Sequence, residues 1–276
     1  RGAQRIQELA FDPTTVETSY VSLDLTRLSE HLTRIGLTEM ALATSPENFL
    51  FVLRADGTLL SLTYERAEQV VAWSHHTTDG TYESVCVIPN SSGTGDEAWV
   101  VVNRNSVRVI EIFDGALNVD SGLTYSGVAA SNFRGLGYLE GKTVKAIAAD
   151  RTVYDLVVSN GEITLPAGVS TTALEVGLPY TSTLETLRPE VPTQEGTSQG
   201  RLTHWNSLTI RVANTEGPLT LNGEALAYPE GTPLTSVFTG DLLPVLPAIG
   251  WEREGRLTIR TTTPKPCTIL GITGSI

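Results

Sequence analysis

Two adjacent histidines, His75 and His76, are followed by Asp79, Glu83 and Cys86 inside one stretch, VVAWSHHTTDGTYESVCVIP, Val70 to Pro89. Imidazole, carboxylate and thiolate are the usual zinc ligands, so the first chemistry to test is a metal centre. The run Val70 to His76 has the residue types of a strand, and successive strand side chains point to opposite faces. Trp73 and His75 then share one face, Ser74 and His76 the other, and the two imidazoles cannot converge on one ion. A site would need distant partners such as Asp79, Glu83 or His204, for which no recurring ligand spacing is written. The reading of this stretch is a hairpin turning at Thr78-Asp79-Gly80.

Other chemistries fare similarly. No serine sits in a G-x-S-x-G elbow, and no G-x-x-x-x-G-K-[ST] phosphate loop occurs. GLGYLEGK, Gly135 to Lys142, is glycine-rich but leads into a strand, whereas phosphate binding uses a helix N-terminus. Asp96 and Glu97 lie in polar, loop-like surroundings and read as solvated charges rather than as a general acid with a raised pKa. Cys86 and Cys267 are the only cysteines, far apart and in apolar runs, so both are expected as small buried side chains, without a disulfide. Trp99, Trp205 and Trp251 could form a carbohydrate platform, but their alternating surroundings predict burial in strands. These residues predict no catalytic, cofactor-binding or metal-binding site, and no enzyme.

The elements that carry these residues are strands. One short amphipathic helix is predicted early, from Leu25, Leu28, Leu32 and Ile35, with Asp24 as N-cap and Gly36 as stop. Beyond it, strand-like runs recur with turn residues roughly every ten positions. Glu39 to Thr44, Phe49 to Arg54, Thr58 to Tyr64 and Val70 to His75 form one blade-like group; Tyr82 to Ile88, Glu97 to Asn103 and Val107 to Phe113 form a second. Together they suggest part of a β-propeller over residues 1–114, with an open meander as the alternative. Glycines at 115, 122, 127, 135, 137 and 141 mark a junction. A small barrel or sandwich is predicted for 115–187, with strands Lys142 to Ala148, Val153 to Val158 and Glu162 to Leu165 and a turn at Asn160-Gly161. RPEVPTQEGTSQG, Arg188 to Gly200, reads as an exposed loop that opens a third region, 188–276. There strands resume at Leu202 to Ala213, Leu219 to Leu221, Asp241 to Leu246, Leu257 to Thr262 and Cys267 to Ile272. The fold class is therefore all-β and antiparallel, propeller-like blades followed by a small barrel or sandwich module, with one short N-terminal helix.

Composition bounds the partners. With 40% hydrophobic residues the chain can bury a sizeable core, and its formal charge of −12 argues against a surface that grips nucleic-acid backbones. It remains compatible with DNA that must slide past without sticking. No apolar run approaches the ~20 residues that span a bilayer, which predicts a soluble chain.

The order of motifs resembles a family. DLTRLSEHL, then SPENFLFVLRADGTLLSLTYERAEQVVAWSHHTTDGTYESVCVIP, DEAWVVVNR, LEGKTVKAIA, GLPYTSTLETL and finally GWEREGRLTIRTTTPKPCTILGI are similar to tail nozzle proteins of short-tailed bacteriophages, the tail tubular protein B type. The series covers most of the chain in the expected order. Relatives often carry a basic residue two positions after the tryptophan matching Trp73, where this chain has His75. Arginine is no ligand at neutral pH, which further weakens a metal reading. The resemblance implies a structural protein of the virion: a homohexameric ring below the adaptor or portal, contacting other tail proteins and the host cell surface, through which double-stranded DNA passes without specific binding. Because relatives are commonly longer and the first residue is Arg1 rather than Met, a missing N-terminal half is expected. The alternative from another class is a tail-associated receptor- or glycan-binding module.

Overall fold

The computed structural model describes residues 3–12, 19–104, 106–190, 201–229, 236–243, 251 and 253–276. It is nearly all β, with antiparallel sheets and one short helix. The chain divides into two compact units, Arg1–Gly115 and Ala116–Ile276. Among the described residues no helix is long and apolar enough to cross a membrane.

The first unit opens with a hairpin, β1 (Gln7–Asp12) and β2 (Ser19–Asp24), which the sequence reading did not anticipate. The helix that follows, α1, is shorter than expected, Glu30–Thr33. Asp24 does not cap it: its Oδ1 accepts the backbone N–H of Thr26 at 2.9 Å and the Thr26 hydroxyl at 2.6 Å, a local turn that competes with helix. Leu28, assigned to the apolar face, is 95% exposed.

Four strands then meander: β3 (Leu37–Ala43), β4 (Phe49–Arg54), β5 (Leu59–Glu65) and β6 (Val70–His76), paired in sequence order. A second sheet takes β7 (Thr81–Pro89), β8 (Asp96–Arg104) and β9 (Val107–Ile112), again in order. The two sheets share a core that includes Phe51, Leu53 and Leu59 from the first and Val85, Val100 and Val102 from the second. Strand β8 alternates as a half-buried strand should, with Ala98, Val100, Val102 and Arg104 facing inward. By contrast Leu59 to Leu62 of β5 are all buried, because both faces of that sheet are covered. The second cover is the N-terminal segment: the Leu25 carbonyl accepts Trp73 Nε1 at 2.8 Å, and the Gly36 carbonyl accepts the Ala55 N–H.

Two polar staples join the sheets. Asp96 Oδ2 accepts the Thr44 and Ser45 N–H groups at 2.7 and 3.2 Å, and Glu39 accepts the Ser84 hydroxyl and the Val85 N–H.

The second unit contains two cores. Its first sheet runs β10 (Asp120–Ala130), β15 (Thr171–Leu178), β12 (Thr143–Ala148) and β13 (Val153–Val157), with a pair β11 (Asn132–Arg134) and β14 (Glu162–Thr164) beside it. These strands and a 3-10 turn at Gly137–Leu139 surround Phe133, Leu139, Val144, Ala146, Ile163 and Leu174. Asn160 and Gly161 both have positive φ, 56° and 71°, the hairpin turn their sequence predicts. Strand β10 is the longest among the described residues and lies inside the glycine-marked stretch read as a junction.

The second core lies between two further sheets. One is β16 (Ser182–Glu185), β21 (Thr258–Thr261), β18 (Thr220–Leu221) and β19 (Glu224–Ala225); the other is β20 (Phe238–Leu242), β17 (Ser207–Thr215) and β22 (Thr268–Ser275). Leu208, Ile210 and Val212 alternate inward along β17 to meet Leu219, Leu221, Leu257 and Ile259. Strand β17 begins at Ser207, so the expected start at Leu202 is corrected; Ser182–Glu185 pair with Thr258–Thr261 and belong to a C-terminal sheet. The described sheets are open, and none closes into the barrel that was one alternative for 115–187. Residues 191–200, most of the expected exposed loop, and 244–250 lie outside the described residues.

Candidate functional site

Pairing places the histidines as strand geometry requires. His75 lies opposite Leu60 and is exposed, while His76 lies opposite Leu59 on the core face. His76 Nε2 is 2.9 Å from the Ser61 hydroxyl, and its ring meets Phe113 edge-on at 5.2 Å. Burial, reinforced by the neighbouring His75, lowers the His76 pKa below its usual value. A depressed imidazole against a phenyl ring is a packing element.

Glu83 and His204 are engaged elsewhere, and at Asp79 it is the backbone carbonyl that takes a partner. The Asp79 carbonyl accepts Arg104 Nη1 at 2.7 Å, and Arg104, itself buried, also makes two hydrogen bonds to the Glu111 carboxylate. Glu83 accepts from Arg108 and Asn103, which lower its pKa. His204 belongs to the second unit, where its ring stacks on Trp251 at 5.4 Å. Among the described residues no group of three or more His, Cys, Asp or Glu side chains could hold a metal ion.

Several expectations about individual residues are corrected. Cys86 is exposed, because it falls on the outer face of β7; Cys267 is half-buried, and burial raises its thiol pKa. Asp96 is half-exposed and charged, but it is also hydrogen-bonded to the first sheet. Hydrogen bonds from the Thr44 N–H outweigh its desolvation and lower its pKa, opposite to what a general acid needs. Glu97 accepts the Trp99 indole N–H at 3.2 Å. Trp205 precedes β17 and donates to the Gly255 carbonyl at 2.9 Å, whereas Trp251 lies outside the strands and is 69% exposed. In GLGYLEGK, Glu140 accepts the N–H groups of Asn160 and Gly161, so a carboxylate of the chain itself fills the amides of that turn.

The densest buried charge was not anticipated. Glu216, fully buried at the end of β17, holds Lys265 Nζ and Arg151 Nη2, each at 2.5 Å. Desolvation works to raise the Glu216 pKa, but hydrogen bonds from Arg151 and Lys265 prevail and the net shift is downward. Near it stands Tyr228, whose pKa is raised by burial and by Cys267 and Glu216. Arg151 comes from the β12–β13 turn and Glu216 from the C-terminal core, so the cluster ties the two cores of the second unit together. Its members come from distant parts of the chain, and Glu216 in ANTEGP reads locally as an ordinary turn acid. Nothing short of the fold could have grouped them.

No protein-family model matches the chain, and no curated protein is similar to it.

Proposed function

We propose that the chain is a structural protein of the virion of a short-tailed phage, a tail nozzle component that forms a ring around the DNA channel, retains the genome and conducts it during ejection. The observation that carries this reading is where the resembling segments fall. SPENFLFVLRADGTLLSLTYERAEQVVAWSHH spans β4 to β6, DEAWVVVNR lies in β8, LEGKTVKAIA leads through β12, GLPYTSTLETL joins β15 to β16, and the terminal segment holds β21 and β22. The series thus follows the sheets themselves rather than a loop-borne site. Of the polar side chains that suggested chemistry, Asp96 joins the two sheets of the first unit and His76 packs on Phe113, and the formal charge of −12 suits a channel that DNA passes without adhering. By the resemblance the ring has six copies and seats against the tail adaptor and other tail proteins, with the host cell surface as a further contact. Labelling the protein within intact virions and imaging the tail should place it on the tail axis as a ring; a position off that axis, or absence from virions, would overturn the proposal. Purified protein should leave duplex DNA unshifted at about physiological salt, where only concentrated positive charge sustains binding.

A second reading, a receptor- or glycan-binding module, rests on Trp251, an exposed indole stacked on His204. It requires that Trp251→Ala abolish binding on a glycan array to which the native protein binds; an array with no native signal dismisses it.

A further inference from the structure

Two turns of the second unit carry the same triplet, Asn160-Gly161-Glu162 between β13 and β14 and Asn222-Gly223-Glu224 between β18 and β19, and these are the only Asn-Gly pairs of the chain. In both, the Asn and Gly have positive φ, 56° and 71° in the first turn, 49° and 92° in the second. Local sequence and backbone hand are thus matched, and the surroundings of the glycine amide are what differ. Gly161 is sealed. Its N–H donates to Glu140 Oε2 at 2.7 Å, the Asn160 N–H donates to Oε1 at 2.9 Å, and the Gly161 carbonyl accepts the Leu136 N–H. A Cβ on Gly161 would stand 3.4 Å from the Gly137 backbone, so that side of the turn is packed as well. Gly223 is exposed, its N–H meets no acceptor among the described residues, and a Cβ there would find nothing within 4 Å. The neighbouring Asn222 side chain is held in place, its Oδ1 accepting the Thr258 N–H at 2.7 Å.

We propose that Asn222-Gly223 is a site of spontaneous deamidation, with water as the only co-reactant, and that Glu140 protects the matched pair Asn160-Gly161. The inference is independent of the nozzle reading. In the reaction the Gly223 nitrogen loses its proton to solvent base and attacks Cγ of Asn222. The new C–N bond closes a five-membered imide, the Cγ–Nδ2 bond breaks, and Nδ2 takes up protons from water and leaves as ammonia. Water then opens the imide: cleavage at Cγ gives aspartate, and cleavage at the main-chain carbonyl gives isoaspartate. The net change is one water consumed and one ammonia released, without oxidation or reduction.

Three features favour Asn222. The Thr258 N–H sits on the oxygen where negative charge develops as the ring closes. Strands β18 and β19 have two residues each, so the local opening that brings nitrogen and carbon together disturbs little structure. At Asn160 the same opening must first break two bonds to a charged acceptor, each stronger than a neutral one, and deprotonating the Gly161 amide would set a second negative charge beside the Glu140 carboxylate. The products differ in consequence. Aspartate keeps an acceptor for the Thr258 N–H, whereas isoaspartate lengthens the main chain by a methylene and displaces Glu224-Ala225 from Thr220-Leu221.

The test follows both sites by peptide mass spectrometry during incubation of the full chain at about 37 °C and mildly alkaline pH. Asn222 should convert to a mixture of aspartate and isoaspartate roughly tenfold faster than Asn160. In concentrated urea the two rates should become similar, because the triplets are identical. Glu140→Ala, a change at an exposed position, should accelerate Asn160 alone and leave the far-ultraviolet spectrum unchanged. Native rates that are equal, or faster at Asn160, would overturn the proposal, as would a difference that persists undiminished in urea. An Asn160 rate unmoved by Glu140→Ala in a folded variant would overturn the protective role of Glu140; if that variant unfolds, the native and urea rates still decide whether the fold selects Asn222.

Discussion

His75 and His76 are neighbours in sequence and opposites in environment, and substitutions should separate them. His75 is exposed, so His75→Arg should change stability by less than about 0.5 kcal/mol. Trp73, half-buried, anchors the N-terminal segment through its bond to the Leu25 carbonyl rather than filling the core between the sheets. Trp73→Ala should cost about 3 kcal/mol in urea unfolding and expose the segment before β3 to protease. Equal effects at the two positions would contradict this assignment. For His76 the sign follows from burial. Its folded pKa is depressed below 6.5, so the unfolded chain binds the proton more readily. The stability it contributes is full above that value and is lost as pH falls through the folded pKa. Between about pH 7 and about pH 5 the urea midpoint of the native protein should therefore fall further than that of His76→Gln, which keeps a partner for Ser61 without titrating. Parallel midpoints would refute a buried neutral imidazole. The alternation that separates the two rings is legible in the sequence; the partners of His76 are not, since Ser61 comes from β5 and Phe113 from just beyond β9.

At the scale of elements, the sequence reading succeeds where turn chemistry and period agree and fails where one of them misleads. Strands β3 to β9 alternate or run apolar between Asn, Asp and Gly turns, and they lie close to where that pattern puts them. Strand β10 escapes because Gly122 and Gly127 resemble linker residues. The fold uses small residues here for close approach: a Cβ on Gly177 of β15 would stand 2.6 Å from the Asp120 carbonyl oxygen and 2.7 Å from Val119 Cγ2. Gly177→Ala should accordingly force β10 away from β15 and cost about 2 kcal/mol, although alanine is ordinarily neutral or better in a strand. Hydrogen exchange should show the loss concentrated in β10 and β15; an unchanged exchange pattern would mean that the two strands tolerate separation. The early helix fails for a different reason. Its apolar spacing is genuine, but the bonds from Asp24 to Thr26 divert the chain into a turn, and four residues are all that remain helical.

At the scale of the whole molecule, the outline of an acidic all-β chain follows from composition and period, while its internal coupling does not. The second unit has two separate apolar cores, and the Arg151–Glu216–Lys265 cluster is the polar link between them. Removing one member of a buried ion cluster leaves the others desolvated and uncompensated. Glu216→Gln should therefore cost about 3 kcal/mol and lower Tm by roughly 10 °C for a unit of this size. Lys265→Met in the same chain should restore part of the loss, because it withdraws the buried ammonium that the first change orphans. Acid should erase the difference. The folded pKa of Glu216 is lowered from 4.5, so its contribution is present above that value and disappears as pH falls through the folded pKa. Calorimetry of the native and variant proteins at neutral and acid pH decides the matter. A native-to-variant gap that persists undiminished in acid would mean that Glu216 acts by shape alone. A narrowing gap, with a single transition for native unit 2 and two for the variant, would identify the cluster as the coupling that makes its two cores unfold together.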